Sequence, residues 1–237
     1  MLSNPIFIFI RKILRFLKIN KLIIFLLYTS SNKNYYEDHF ENEMVKNIEL
    51  GNCVWDVGAN IGLYSQVFSQ KVGPEGKVFA FEPSEINYRK LEQNIKHNKN
   101  IVPLLCGLFN ENTTLLMEQG PDDIGATSKV IEKKNKSEKN LFKINVFKGD
   151  TLIQNNTAKV PNVIKIDVEG YEYEVMRGLE ETLLNSNLKI ICIELHYDLV
   201  SKRGLSNHPK LITTLLKKNN FNIKWTDFSH IVATRLE

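Results

Sequence analysis

Several apolar runs in this chain end in acids, and acids at strand tips are where an α/β protein does chemistry. The first run is Cys53 to Ser65, CVWDVGANIGLYS, in which Asp56 precedes a glycine turn, Gly58-Ala-Asn-Ile-Gly62. Val54, Trp55 and Val57 suit a strand buried on both faces, and helical spacing resumes from Ile61. Gly58 and Gly62 offer backbone freedom and the lack of side chain that a closely approaching ligand requires. Unpaired N–H groups at the start of the helix can hold a phosphate or a carboxylate, and Asp56 beside them argues against phosphate.

A second strand, KVFAFEP, follows and ends in Glu82 and Pro83, with Glu82 twenty-four residues beyond Gly58. An acid at that distance is placed to accept hydrogen bonds from ribose hydroxyls, which points to an adenosine-containing cofactor. The dinucleotide pattern G-x-G-x-x-G is absent, because Asn60 stands where its second glycine belongs. A side chain there would crowd a pyrophosphate. S-adenosylmethionine has none, and it carries an ammonium that Asp56 could help to balance. The bland alternative is that the glycines only shape a turn and Asp56 only caps the helix.

An acid pair closes the fourth strand, VIKIDVE, where Asp167 and Glu169 lie two residues apart and so share a face of the strand Val163 to Glu169. A fifth strand, Leu188 to His196, ends in Glu194 and His196 with the same spacing. A hydroxyl is a poor nucleophile until its proton is leaving, so Asp167, Glu169 or His196 is a candidate to take that proton or to orient the acceptor. His196 suits a general base by its ordinary pKa. The competing role for the acids is to cap the next helix, Tyr171 to Leu184, with Val175, Leu179 and Leu183 inward. These residues also have the ligand types for a divalent ion, but no dense ligand motif marks a metal centre, and none is expected.

WDVGANIGLYS, FAFEPS and IKIDVEGYEYEVMRGLE together resemble the FkbM-family methyltransferases over about residues 50 to 197, most specifically in IDVEGYE and the helix after it. The resemblance implies a Rossmann-like fold, S-adenosylmethionine as donor and O-methylation of a hydroxyl on a sugar, glycan or secondary metabolite. It further implies that Cys106, Gly107 and Leu108, closing a third strand Ile101 to Leu108, border the adenine, although plain core suits Cys106 better. Gly149-Asp150-Thr151-Leu152 loosely matches the family's acidic turn before the fourth strand, which makes Asp150 a cofactor candidate. Gly125 to Ser128 matches a small-residue stretch without an assignable role.

The elements that must position these residues read as a mostly parallel seven-stranded sheet closed by a C-terminal hairpin. Ser84 caps a helix to about Asn98, Pro209 to Lys218 forms another, and FNIKWTDF and HIVATRL turn at Asp227 to His230. Between Phe109 and Lys148 the alternation of strand and helix stops; LLME and FKINVFK look like strands, and a run of six lysines and two glutamates reads as an exposed loop. Tyr35 to Leu50 has helical spacing, and Tyr35, Tyr36 and His39 are pocket candidates.

Length and composition suit one globular α/β domain, residues 34–237, behind a basic segment, residues 1–33. That segment holds six cations and no acid, so the rest of a chain of net charge +4 sums to −2, which disfavours a nucleic-acid partner. Five of them, Arg11, Lys12, Arg15, Lys18 and Lys21, gather on one side of a helix; the segment lacks an unbroken apolar run of about 20 residues and does not read as a secretory signal. Such a helix lies at an anionic membrane surface or packs on protein. Three cysteines in core strands fit a reducing compartment. The expectation is a cytoplasmic enzyme, peripheral on the inner membrane face, acting on a small-molecule or glycan hydroxyl, with oligomeric state open. A nicotinamide-dependent oxidoreductase and an inactive membrane-associated binding module are the competing readings.

Overall fold

The structure, a computed structural model of the chain, describes residues 35–118, 129–130 and 141–236. The basic segment, the stretch Gly125 to Ser128 and most of the lysine run lie outside the described residues, as do the side chains of Tyr35, Tyr36 and His39. The chain divides into two units, residues 1–38 and 39–237. No described helix is long and apolar enough to cross a membrane.

A helix, α1 (Tyr35–Val45), precedes β1 (Cys53–Val57). Then come α2 (Leu63–Val72), β2 (Lys77–Phe81), α3 (Glu85–Ile95) and β3 (Ile101–Leu104). Four short strands interleave with a helix: β4 (Gly107–Leu108), β5 (Thr113–Glu118), β6 (Lys129–Val130), β7 (Leu141–Phe147) and α4 (Gly149–Gln154). The second half runs β8 (Val163–Ile166), α5 (Glu172–Arg177), β9 (Ile190–Glu194), α6 (Tyr197–Lys202), α7 (His208–Lys218), β10 (Phe221–Trp225) and β11 (His230–Arg235).

The main sheet has seven strands in the order β10-β11-β9-β8-β1-β2-β3, parallel except for β11, which runs against both β9 and β10. Strand alternation sorts the core into two layers. Trp55, Val57, Phe81, Ile164, Ile166, Ile191 and Ile193 pack with Val175, Leu179 and Leu216 on one side; Val54, Val78, Val163 and Cys192 pack with Phe68, Val72 and Leu91 on the other. Cys53, Cys106 and Cys192 are all buried and free, and burial pushes the Cys53 and Cys106 thiols up to about 12, so they stay protonated.

Two expected elements are broken. The run Ile101 to Leu108 is two strands, because the Cys106 N–H turns back to the Leu104 carbonyl at 2.8 Å; β3 stays in the main sheet, while β4 pairs with β7 in a second sheet ordered β4-β7-β5-β6. The helix expected from Tyr171 to Leu184 stops at Arg177. Beyond it Gly178 presses against Phe109, whose carbonyl oxygen lies 1.9 Å from where a Cβ would stand, and a single 3₁₀ turn covers Thr182–Leu184. Short α6, between β9 and α7, has no counterpart in the expectation.

Candidate active site

Chain order reverses between β1 and β8, which opens a crevice beyond their carboxyl ends. Into it lead the turn after β1, the loop after β8 and the end of β9. The turn is tied to the neighbouring strand by N–H bonds from Gly58 and Ala59 to the Phe81 carbonyl, at 3.1 and 2.9 Å. Glu82, just past β2, accepts the Asn60 N–H at 2.9 Å and the Ser84 N–H at 2.8 Å. Burial nevertheless pushes its carboxyl up to about 7. Ser84 occupies the N-cap position of α3 but makes no side-chain capping bond.

Gly58 and Gly62 have φ of +82° and +85°, as a left-handed turn demands. What approaches them closely is protein. A Cβ on Gly58 would stand 2.0 Å from the Asp167 carbonyl oxygen, and one on Gly62 would stand 2.4 Å from Leu91 Cδ1. The glycines therefore let the turn nest against the loop after β8 and against α3. Asn60, also left-handed at φ 52°, is different: its side-chain oxygen is buried without a hydrogen-bond partner. An orphaned acceptor beside Glu82 fits a ligand that brings hydroxyl or ammonium donors, as adenosine attached to an amino acid does.

Asp56 lies near the end of β1. It is fully buried beneath the turn, accepts the Ser65 hydroxyl at 2.6 Å, and faces the Lys165 ammonium at 3.5 Å. Its charge faces that of Lys165 inside the protein, with Oδ1 left without a hydrogen-bond partner. Asp150 is also engaged structurally: its carboxylate takes the Glu181 and Thr182 N–H groups at 2.8 and 2.9 Å and the Thr182 hydroxyl at 2.6 Å. It caps the 3₁₀ turn. Cys106 and Leu108 sit in the core, and Gly107 packs against Pro83, whose Cβ would be 3.5 Å from a Cβ at Gly107.

Asp167, Glu169 and His196 do meet. Asp167 and Glu169 lie past the end of β8, in a loop where Glu169 (φ 54°) and Gly170 (φ 96°) are both left-handed, so it is this turn, and not strand alternation, that aims the pair. His196 caps α6. Its Nε2 stands 3.7 Å from Asp167 Oδ1, 3.5 Å from Glu169 Oε2 and 3.9 Å from Glu194 Oε1. Its Nδ1 is 2.8 Å from Glu172 Oε1, which also accepts the Gly170 N–H at 2.8 Å. Burial alone would lower the imidazole pKa, but Glu172, Glu169 and Asp167 raise it to about 9. At neutral pH the ring carries its proton in this arrangement.

Residues that the sequence did not single out complete this edge. Lys165 bridges Asp56 and Asp167, 3.4 Å from Asp167 Oδ2, and its ammonium lies 4.8 Å from the centre of the Tyr64 ring. Although burial works against its charge, the two aspartates hold its pKa above the ordinary value. A lone lysine in an apolar run was the available signal. His230, at the start of β11, lies 2.7 Å from Asp227 and 3.6 Å from Glu194; burial opposes its charge, yet the carboxylates push its pKa up to about 9. Here the D-x-x-H spacing across the hairpin turn was the signal.

The chain matches the model of the methyltransferase FkbM domain over residues 56–223. It is 31% identical over 177 residues to hexuronic acid methyltransferase AglP of Haloferax volcanii, covering 74% of this chain and 70% of that protein. It is 28% identical over 178 residues to methyltransferase sdnD of Sordaria araneosa, covering 63% and 68%. Among solved structures, a candidate rRNA-methylase of Clostridium thermocellum aligns with a TM-score of 0.53 at 12% identity, covering 87% of this chain and 99% of that one. A candidate methyltransferase of Streptococcus mutans in complex with SAH aligns with a TM-score of 0.52 at 10% identity, covering 87% and 100%. Those two likenesses speak for the Rossmann-like methyltransferase fold. The chain belongs to the FkbM methyltransferase family and is an enzyme with S-adenosylmethionine as its methyl donor.

Proposed function

We propose that this enzyme methylates an oxygen of a sugar or glycan acceptor, with a hydroxyl as the acceptor group. The carrying observation is the convergence of Asp167, Glu169 and His196 beside the glycine turn. Asn60 and Glu82 hold the adenosyl donor, which when bound supplies a methyl group on a positively charged sulfur. Asp167 and Glu169 bind the acceptor hydroxyl and take its proton as the oxygen–methyl bond forms, while the electron pair of the broken bond stays on sulfur. His196, held protonated by Glu172, fixes the two carboxylates and donates to acceptor oxygens. The name of the 31%-identical relative supports a sugar acid as the acceptor.

One observation favours a second reading. A ring that is already protonated suits an acceptor carboxylate, an oxygen nucleophile that needs no base. Incubation with methyl-labelled donor and a panel of neutral sugars and hexuronic acids tests both: an alkali-stable label is an ether from a hydroxyl, and an alkali-labile one is an ester. Absence of label on every sugar would reject the acceptor class. The basic pattern of residues 1–33 supports a lipid-linked glycan at an anionic membrane surface, and flotation of the full chain with anionic but not neutral vesicles tests that placement.

A further inference from the structure

We infer that Asp167, Glu169 and His196 form a site for one divalent cation of the Mg²⁺ or Mn²⁺ kind, which holds the acceptor oxygen during methyl transfer. The inference deepens the reading above, since it concerns the same crevice. One ligand atom from each of the three residues lies within 4.8 Å of the other two. The separations from His196 Nε2 to the carboxylate oxygens, 3.5 to 3.9 Å, are too long for good hydrogen bonds. Around an octahedral ion with bonds of about 2.1 Å, neighbouring ligands stand about 3 Å apart and opposite ones about 4.2 Å, so these side chains would close by roughly half an ångström or more to grip it.

An independent feature lies outside the trio. Glu172, 1% exposed and itself fixed by the Gly170 N–H, receives the opposite ring nitrogen of His196 at 2.8 Å. A carboxylate behind a histidine sets its tautomer and aims the far nitrogen outward, which is how proteins brace a metal-binding imidazole. Lys165 engages Asp167 through Oδ2 and leaves Oδ1 to the ion, while His230 lies by Glu194 Oε2 and leaves Oε1, 3.9 Å from His196 Nε2, as a fourth ligand. Two or three carboxylate oxygens and one imidazole select a hard cation over a thiolate-seeking one. The ion takes the place of the Nε2 proton. An acceptor hydroxyl bound to it releases its own proton more readily, to a carboxylate at the edge of the site or to water, before the oxygen meets the methyl carbon.

The full chain, stripped with a chelator, is titrated with Mn²⁺ and the free-ion electron-spin signal is followed. One saturable site per chain with a submillimolar dissociation constant is expected, displaced by Mg²⁺. It should weaken by about tenfold or more in Glu169→Gln and in His196→Gln, and by about tenfold in Glu172→Gln. The thermal shift given by S-adenosylhomocysteine is measured on the same samples, showing that each variant is folded and keeps its donor site. No saturable Mn²⁺ binding, or binding undiminished in both Glu169→Gln and His196→Gln, overturns the site. Donor binding without Mn²⁺ binding leaves the transferase reading standing and removes the cation; Mn²⁺ binding without a thermal shift keeps the cation and removes the donor assignment.

Discussion

Lys165 and Asp56 lie directly opposite each other in the β8–β1 ladder, and their charged atoms are 3.5 Å apart with both side chains closed to solvent. The pair joins the floor of the glycine turn to the acid loop, because the same ammonium lies 3.4 Å from Asp167 Oδ2. Removing one partner of a buried pair leaves the other charge uncompensated, which costs about 3–5 kcal/mol. Lys165→Met should therefore lower urea-unfolding stability by about that amount, and Lys165→Met with Asp56→Asn should recover most of it. A loss in the double variant equal to the sum of the single losses would mean that the two residues do not act as a pair.

Gly58 and Gly51 share a φ of +82°, yet only Gly58 has a backbone oxygen where a Cβ would go; at Gly51 nothing lies within 4 Å. Gly51→Ala should cost about 1–2 kcal/mol, the penalty of an L-residue in the left-handed region. Gly58→Ala carries that penalty and must also push the Asp167 carbonyl away, so its cost should be at least about twice as large and its methyl transfer should fall with it. Equal thermal midpoints for the two variants would show that the turn does not nest on the loop after β8.

What the sequence disclosed and what it hid divide along the range of the interaction. The apolar run placed Val54, Trp55 and Val57 in a buried strand, and turn chemistry placed Gly58 and Gly62, because each depends on a few neighbouring residues. The convergence of Asp167, Glu169 and His196 was legible because acids and histidine at the ends of parallel strands share an edge. The Lys165–Asp56 pair was not, since it depends on the register of strands far apart in sequence. Nor was the end of α5, which follows from Asp150 claiming the amides of Glu181 and Thr182 and from Phe109 crowding Gly178. His196 was singled out by its ordinary pKa near neutrality; the carboxylates of Glu172, Glu169 and Asp167 that raise it to about 9 gather around it only in the fold.

Glu82 gives donor binding a pH dependence of definite sign. Burial raises its carboxyl from 4.5 to about 7, so its contribution to stability is fully present below about 4.5 and is lost as pH rises through about 7. Ribose hydroxyls donate best to the ionised form, which a ligand must create at pH 6 and finds ready at pH 8. Affinity for S-adenosylhomocysteine measured by calorimetry should rise up to about tenfold between those values, with proton release at the lower one. Glu82→Gln should bind more weakly and flatten the profile. A wild-type affinity that falls with pH would place the ribose away from Glu82.

The hairpin of β10 and β11 reaches the same edge as the acids, because His230 is paired with Glu194 at the end of β9. Two large side chains stay open there: Phe228 in the hairpin turn, 59% exposed, and Tyr197, the residue after His196, 39% exposed. Burial, and then the Asp227 carboxylate of that turn, raise the Tyr197 phenol above its ordinary pKa. Aromatic faces beside carboxylates suit the apolar face of a sugar ring, whose hydroxyls then point at the acids. Phe228→Ala and Tyr197→Ala should each raise the acceptor KM by about five- to tenfold, the equivalent of about 1–1.4 kcal/mol of lost stacking, with kcat and the donor KM little changed. A fall in kcat with an unchanged acceptor KM would place these rings among the parts that align the reacting atoms. An unchanged acceptor KM and kcat would place the acceptor on the opposite side of the crevice, toward β3 and β4.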